Sequence, residues 1–232
     1  MRDLRQRAGP AAQGPPGSGK TYTVSRMIAR FLAGGLRVGI TSNSHKAINH
    51  LLAEVMKVVK QQGIHLHAVK KFTAGNPATE FDYPVGGVDN VANNDDVWAS
   101  AAQLVAGTAW LFADARADQQ FDVLFVDEAG QVALANLIAA GTAARNIVLL
   151  GDQMQLSQPV QGVHPGRSGD SALDYLLDGA STIAPDRGIF PGYRDRQSGA
   201  DGDQMPNAGA DGAGRYLVLD SGVFPRLDRK GL

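Results

Sequence analysis

A glycine-rich loop followed by a lysine and a threonine lies near the start of the chain. It consists of Gly14, Pro15, Pro16, Gly17, Ser18, Gly19, Lys20 and Thr21. Its glycines allow backbone N–H groups to close around phosphate oxygens, Lys20 can reach the β- and γ-phosphates, and the Thr21 hydroxyl can bind Mg²⁺. The segment therefore predicts a nucleoside triphosphate site, with ATP and Mg²⁺ as the expected ligands.

Two further motifs each follow an apolar run and begin with an acidic residue. Asp127 and Glu128 follow residues 122–126, and Asp152 and Gln155 follow residues 147–150. We expect Asp127 to hold Mg²⁺, through water, and Glu128 to orient or deprotonate the water that attacks the γ-phosphate. The Gln155 amide can donate to a phosphate oxygen and accept from that water, whereas Asp152 receives no chemical step.

Short apolar segments alternate with amphipathic ones along the chain. This alternation predicts an α/β fold in which helices cover both faces of a parallel sheet. The predicted strands are 36–41, 66–72, 103–108, 122–126 and 147–150, and the predicted helices are 20–33, one from about His45, and 131–144. Ligands of such sheets bind at the carboxyl ends of the strands, so we expect the three motifs to converge on one nucleotide.

Composition limits the classes of protein. A chain of 232 residues is expected to form one domain, and a net charge of −1 argues against a surface that grips nucleic acid everywhere, although a local basic groove remains compatible. The chain has no cysteine, which excludes disulfides and thiolate chemistry and fits a reducing compartment. No signal peptide or membrane-spanning stretch is recognisable, so we expect a cytoplasmic protein.

The motifs also occur in the order that is typical of a known family. Residues 13–21, 41–48, 107–109, 127–131 and 151–156 together resemble the first RecA-like domain of a superfamily 1 helicase. The similarity covers roughly residues 13–190 and is to the branch of DNA end-processing and RNA-surveillance helicases, including bacterial helicases fused to a RecB-like nuclease. It implies a P-loop NTPase fold, with Gln13 near the base or the loop entrance and Gln155 coupling the γ-phosphate to strand movement.

The same resemblance implies a path for single-stranded DNA or RNA across two segments. The residues that it places on this path are Ser42, Asn43, Ser44, Lys46, Gly107 and Thr108. Small hydroxyl and amide side chains suit phosphate contacts that do not depend on base sequence, and Lys46 adds a charge.

The chain departs from the family pattern at both ends. Residues 1–12 predict an irregular leader because Pro10 and its neighbours do not suit a central strand, so the sheet is expected to lack a complete first strand. Residues 74–97 predict a surface insertion loop. Residues 191–232 are rich in Gly and Asp and predict a disordered tail, with a possible strand at 216–219. The second RecA-like domain is expected to be absent from this chain, which we interpret as a fragment and a monomer.

Two functions therefore stay open, with a small-molecule kinase as a weaker third. One is the motor domain of an ATP-dependent helicase; the other is a truncated ATP-binding module with little turnover of its own. For single residues the plainer interpretations are favoured: the histidines bind no structural metal, the lysines at 57, 60, 70 and 71 are solvated, and Trp98 and Trp110 pack in the core instead of stacking on bases.

Overall fold

The computed structural model describes residues 12–13, 20–151, 170–177 and 217–220, the first and last of these as backbone alone. The strands in these residues are β1 (Ala12–Gln13), β2 (Val38–Thr41), β3 (Ala68–Lys71), β4 (Asp89–Val91), β5 (Leu104–Ala106), β6 (Phe121–Val126), β7 (Ala144–Gly151) and β8 (Leu217–Asp220). The α-helices are α1 (Lys20–Ala33), α2 (His45–Gln61), α3 (Asn94–Ala99), α4 (Ala109–Phe112), α5 (Leu134–Gly141) and α6 (Ala172–Leu177). The predicted α/β class is confirmed.

Seven strands form a parallel sheet in the order β1-β7-β6-β2-β5-β3-β4. The short β1 pairs only with Leu150 and Gly151 of β7. Strand β8 pairs antiparallel with Asn146 to Leu149 of β7. It lies on the same side of β7 as β1, opposite to β6. The possible strand expected near residue 217 is therefore present, and β1 is as short as the sequence suggested. The rest of the predicted leader and tail lies outside the described residues.

Helices α1 and α2 form where apolar residues recur every three or four positions, and both end at a glycine. Gly35 has a φ of 80°, and the amide of Leu36 reaches back to the carbonyl of Phe31. Gly63, with a φ of 64°, ends α2 in the same way. Left-handed backbone at this position closes a helix and costs glycine little, so the predicted end of α1 is confirmed.

The core has two layers because successive strand residues point to opposite faces of the sheet. Helices α1 and α2 pack on one face, where Ile40, Phe125 and Val148 are buried. The other face is covered by α3 to α6 and buries Leu124, Val126 and Leu149, among other residues. Gly39 lies where a Cβ atom would come within 2.8 Å of Leu124 and Phe112, so its lack of a side chain allows α4 to pack close to the sheet.

Two local predictions need correction. Residues 74–97 are more than a surface loop, since they contain a 3₁₀ turn (Pro77–Thr79), strand β4 and the start of α3. The Phe81 amide donates to Asn90 Oδ1, and the Asn90 side-chain amide donates to the Phe81 carbonyl. These bonds hold the segment, in which Phe81 is buried. The helix expected over 131–144 is shorter: a 3₁₀ turn (Ala129–Gln131) precedes α5, and after a two-residue turn Ala144 already belongs to β7. Tertiary contacts, not local periodicity, determine both.

Candidate nucleotide and nucleic-acid site

The carboxyl ends of the central strands meet at one edge of the sheet. Val126 is in register with Thr41 and with Leu149, and Ile40 is in register with Ala106. The residues that follow β6, β2 and β5 therefore lie side by side, as do Gln13 and Gly151, the last residues of β1 and β7. The backbone amide of Asp127 donates to the Thr41 carbonyl at 2.8 Å, and that of Gly107 donates to the Ile40 carbonyl at 3.0 Å.

Asp127 is the first residue after β6, and its carboxylate has lost much of its contact with water. Burial raises the pKa of Asp127 to about 6, and the charge of Glu128 acts in the same direction. The Glu128 amide, which donates to Asp127 Oδ1 at 2.9 Å, and the positive charges of Lys20 and His50 oppose this rise. A carboxylate in this environment gains more from a nearby cation than an exposed one would.

Glu128 adopts a backbone conformation that is uncommon for a residue with a side chain. Its φ is 53° and its ψ is 40°, in the left-handed region. The turn that follows holds it there, because the Gln131 amide donates to the Glu128 carbonyl at 2.7 Å. Such strain persists only where surrounding structure imposes it, and it is concentrated at functional sites. The Ser42 hydroxyl lies 3.5 Å from Glu128 Oε2, so this carboxylate faces the segment after β2.

The predicted phosphate-binding residues lie partly outside the described residues. This is true of Gly14, Pro15, Pro16, Gly17, Ser18, Gly19 and Gln155, and of the side chain of Gln13. Lys20 and Thr21 are the first residues of α1, and both are half-buried. The charge of Lys20 lowers the pKa of Asp127, which shows that the start of α1 and the end of β6 interact electrostatically.

The two predicted nucleic-acid segments are adjacent. Ser42 is buried, and Asn43 donates from its side chain to the Gln131 carbonyl, which ties this segment to the turn after Glu128. Ser44 caps α2 through a 3.0 Å hydrogen bond from the Ala47 amide, while Lys46 is exposed. Gly107 follows β5, and Thr108 precedes α4. The two predicted nucleic-acid segments thus follow the neighbouring strands β2 and β5, and the former contacts the turn after β6.

Gly151 shows how closely the elements behind the site pack. A Cβ atom there would lie 2.4 Å from Leu173 Cδ1 and 3.1 Å from the backbone nitrogen of Gly130. The end of β7 is thus in contact with the turn that holds Glu128. Any larger residue at this position would displace Leu173 or that turn.

Lys70 corrects the expectation that the lysines at 57, 60, 70 and 71 are solvated. Its side chain is fully buried, and Nζ donates to the carbonyls of Lys71 (2.6 Å) and Thr79 (3.3 Å) and to His45 Nδ1 (2.9 Å). His45 therefore carries its proton on Nε2, which lies 3.2 Å from Thr73 Oγ1. Burial, followed by the charges of Lys70 and Lys71, lowers the pKa of His45 to about 4, so the first residue of α2 is neutral.

We expect Lys70→Met to destabilise the fold by about 2–4 kcal/mol, because methionine fills similar space but removes the buried donor that serves His45, Lys71 and Thr79. Urea unfolding followed by circular dichroism measures the change. Lys57→Met is the matched control, since Lys57 is exposed and pairs with Glu54 at 2.5 Å, and it should change stability by less than about 0.5 kcal/mol. Equal stabilities of the two variants would show that the Lys70 network contributes nothing.

The two tryptophans differ in their surroundings. Trp98 packs as expected, with its ring centroid 6.4 Å from that of Phe121 and its Nε1 donating to Asp114. Trp110 does not, since 81% of its surface is exposed. The sequence feature that indicates this exposure is the apolar pair Leu111 and Phe112. These two residues fill the core after the Gly-Thr turn, so Trp110 remains at the surface. No helix in the described part of the chain has the length and apolarity that crossing a membrane requires.

The chain has recognisable relatives. The family model described as "AAA domain" matches residues 5–167. The DNA replication ATP-dependent helicase/nuclease JHS1 of Arabidopsis thaliana is 29% identical over 159 residues, which is 67% of this chain and 12% of that protein. DNA replication ATP-dependent helicase/nuclease DNA2 of Gallus gallus is 27% identical over 64% of the chain and 15% of its own length. The protein of the same name from Schizosaccharomyces pombe is 25% identical over 71% of this chain and 12% of its own length.

The chain thus spans roughly an eighth of the length of these relatives. The family match covers the phosphate-binding loop and the strand ends that carry Asp127 and Gly151, and the sheet has the parallel order that such a domain requires. The chain belongs to the AAA domain family of P-loop nucleotide-binding proteins, and its relatives are ATP-dependent helicase/nucleases.

Proposed function

We propose that this chain is the ATP-binding and ATP-hydrolysing motor domain of a DNA helicase that acts on single-stranded DNA. The observation that carries the proposal is the juxtaposition of Asp127, Glu128 and Ser42 at one sheet edge, within the electrostatic reach of Lys20. Hydrolytic and strand-binding residues on adjacent strand ends are what a motor needs in order to couple the two. The relatives are named for DNA replication, which favours DNA over RNA.

The site fits Mg²⁺. Asp127 is a carboxylate whose pKa is raised by burial, so a bound dication would replace the water that it has lost. The Thr21 hydroxyl lies in the first turn of α1, next to Lys20, and is a suitable oxygen ligand. Bound Mg²⁺ would neutralise charge on the β- and γ-phosphates. Gly14, Gly17, Ser18 and Gly19 would supply backbone N–H groups. Gln13 would lie near the base or the loop entrance.

The protein side chains have distinct tasks in this proposal. Lys20 contacts the β/γ-phosphate oxygens, and Glu128 accepts the proton of the attacking water, for which the strained turn fixes its direction. Gln155 contacts the γ-phosphate. Because Ser42 Oγ lies 3.5 Å from Glu128, a strand that displaces Ser42 would also change the surroundings of the hydrolytic carboxylate.

The strand would cross the ends of β2 and β5. Asn43, Ser44 and Thr108 are at least partly exposed and offer amide and hydroxyl groups, and the exposed Lys46 offers a charge. Ser42 and Gly107, which complete the two segments, are buried. Contacts of this kind recognise the sugar–phosphate backbone and not the bases, as expected for a protein that must move along any sequence.

Lys20→Ala should lower Mg²⁺-dependent ATP affinity by at least about ten-fold, because it removes a charge-assisted contact to the phosphates. Isothermal titration calorimetry of ATP into the wild type and the variant measures this change. Lys60→Ala, at an exposed position in the last turn of α2, is the matched control and should bind ATP normally. Wild-type affinity in Lys20→Ala would overturn the nucleotide assignment.

A further inference from the structure

Trp110 is an exposed aromatic residue that the proposed function does not use. In the part of the chain that the structure describes, the exposed large hydrophobic residues are Tyr22, at 58%, and Trp110, at 81%. The Arg26 guanidinium already covers the Tyr22 ring, with its carbon 3.4 Å from the ring centroid. Among the described residues, no ring or cation stacks on Trp110. Its faces are therefore open to an incoming planar group.

The outward direction of Trp110 is fixed by its neighbours. Leu111 and Phe112 are buried at 2% and 0% exposure, and the Phe112 ring packs edge-on against Phe121 at 5.4 Å. Leu111 sits against Gly107, where an added Cβ atom would come within 2.6 Å of Leu111 Cδ2. Since these two side chains anchor the short helix α4, Trp110 is held on the solvent side of a rigid support. Such an anchored ring loses little conformational entropy on binding.

Trp110 also lies next to the segments that carry the proposed strand path. It lies two residues after Thr108, and the intervening Ala109 lines a small cavity together with Thr41, Ser42 and Asn43. The same Cβ position on Gly107 would lie 3.3 Å from Leu111 Cβ and 3.4 Å from Lys71 Cβ. Helix α4 and the end of β3 therefore both approach the end of β5. Lys71 is half-buried there, and its Nζ donates to the Phe72 carbonyl at 2.7 Å.

We propose that Trp110 stacks on a base of the single strand that crosses Gly107 and Thr108, and that Lys71 contacts a neighbouring phosphate. This inference rests on the proposed function, since it adds a base contact to a path otherwise made of backbone contacts. An aromatic ring and a cation at neighbouring strand ends are the combination that binds single strands without reading their sequence, because every base has a π-face. An apolar protein partner would gain nothing from Lys71 at the neighbouring strand end.

The test uses the full 232-residue chain and a fluorescently labelled oligothymidine. In a Trp98→Phe background Trp110 is the only tryptophan, and its fluorescence should be quenched when the oligonucleotide binds. Trp110→Ala should weaken oligonucleotide binding about ten-fold without changing its salt dependence. Trp110→Phe, which keeps an aromatic ring, should lose less affinity. Lys71→Gln, which can still donate to the Phe72 carbonyl, should reduce the slope of log affinity against log salt by about 0.7. Lys60→Gln is the matched charge control and should leave the slope unchanged.

The outcomes separate this inference from the proposed function. Oligonucleotide binding with unchanged Trp110 fluorescence and wild-type affinity in Trp110→Ala would overturn the stacking proposal and leave the motor assignment intact. Absence of any anisotropy change at low salt would instead overturn both, because no strand would then be bound. Equal slopes for Lys71→Gln and wild type would remove Lys71 from the proposal.

Discussion

Replacement of Glu128 by glutamine should lower the rate of ATP hydrolysis by at least about 100-fold, because a positioned general base contributes 10²- to 10⁴-fold. Glutamine keeps the size of the side chain and its ability to hydrogen-bond with Ser42, but it cannot accept a proton from water. ATP affinity should therefore stay close to that of the wild type. A change in rate without a change in binding identifies an interaction that is made only during the chemical step.

The structure gives a specific reason for this separation. The left-handed backbone of Glu128 and the hydrogen bond from Gln131 to its carbonyl depend on the main chain, so they persist in the glutamine variant. The amide that donates to Asp127 Oδ1 is also a main-chain group. The substitution therefore removes one carboxylate and leaves the surrounding turn and the metal-binding residue in place.

Phosphate release in single-turnover experiments, with wild type and variant purified in parallel, measures the change. Glu54→Gln is the matched control, since Glu54 lies on α2 and pairs with Lys57. It should hydrolyse ATP at the wild-type rate. Similar rates for Glu128→Gln and Glu54→Gln would show that another group activates the water.

Sequence patterns are sufficient for the elements that carry their own periodicity. The apolar runs of β6 and β7 are buried on both faces, and the amphipathic repeats of α1 and α2 extend over 14 and 17 residues. The ends of α1 and α2 are predictable because Gly35 and Gly63 adopt the left-handed backbone that terminates a helix. Strand ends in a parallel sheet share an edge, which is why the sequence predicts that the residues after β2, β5 and β6 lie together.

Short elements held by distant partners could not be predicted in this way. Strand β4 has three residues, none of them buried, and Asn90 within it is held by two hydrogen bonds to the backbone of Phe81. Helix α4 has four residues, and its packing depends on Gly39 in β2, about seventy positions earlier in the chain. Neither is long enough to show a period.

The same limit explains the errors at single side chains. Lys70 is buried because acceptors from three segments, at His45, Lys71 and Thr79, converge on its ammonium group. No window of sequence around Lys70 contains that information. The exposure of Trp110 is the reverse case, because the space that a tryptophan would normally fill is already occupied by Leu111 and Phe112.

Asp127→Asn should make the protein more stable in the absence of nucleotide and should abolish the effect of Mg²⁺ on ATP binding. Burial raises the pKa of Asp127 from 3.8 to about 6, so between these two values the folded state binds more protons than the unfolded state. Wild-type stability must therefore fall as the pH rises through this window. Above it, the ionised carboxylate costs on the order of 1–2 kcal/mol, allowing for its partial exposure to solvent.

Asparagine has no charge to bury, and its Oδ1 can still accept from the Glu128 amide. The gain in stability of Asp127→Asn over wild type should thus be small at pH 4 and reach its full value above pH 7. The neighbouring charges of Glu128, Lys20 and His50 are present in both proteins, so the comparison isolates Asp127. For the wild type, Mg²⁺-dependent ATP affinity should decline below pH 6, because a protonated carboxyl is a poor metal ligand.

Urea unfolding at pH 4.5, 6 and 7.5 without nucleotide, and calorimetry with and without Mg²⁺, measure the two effects. Asp118→Asn is the control, since this exposed residue lies before β6, near the opposite edge of the sheet, and should shift neither. A stabilised variant that has lost its response to Mg²⁺ would mean that the fold retains a destabilising carboxylate for the sake of the metal. Destabilisation by the same amount at every pH would instead assign Asp127 a purely structural role, in which both of its oxygens serve the turn before α5.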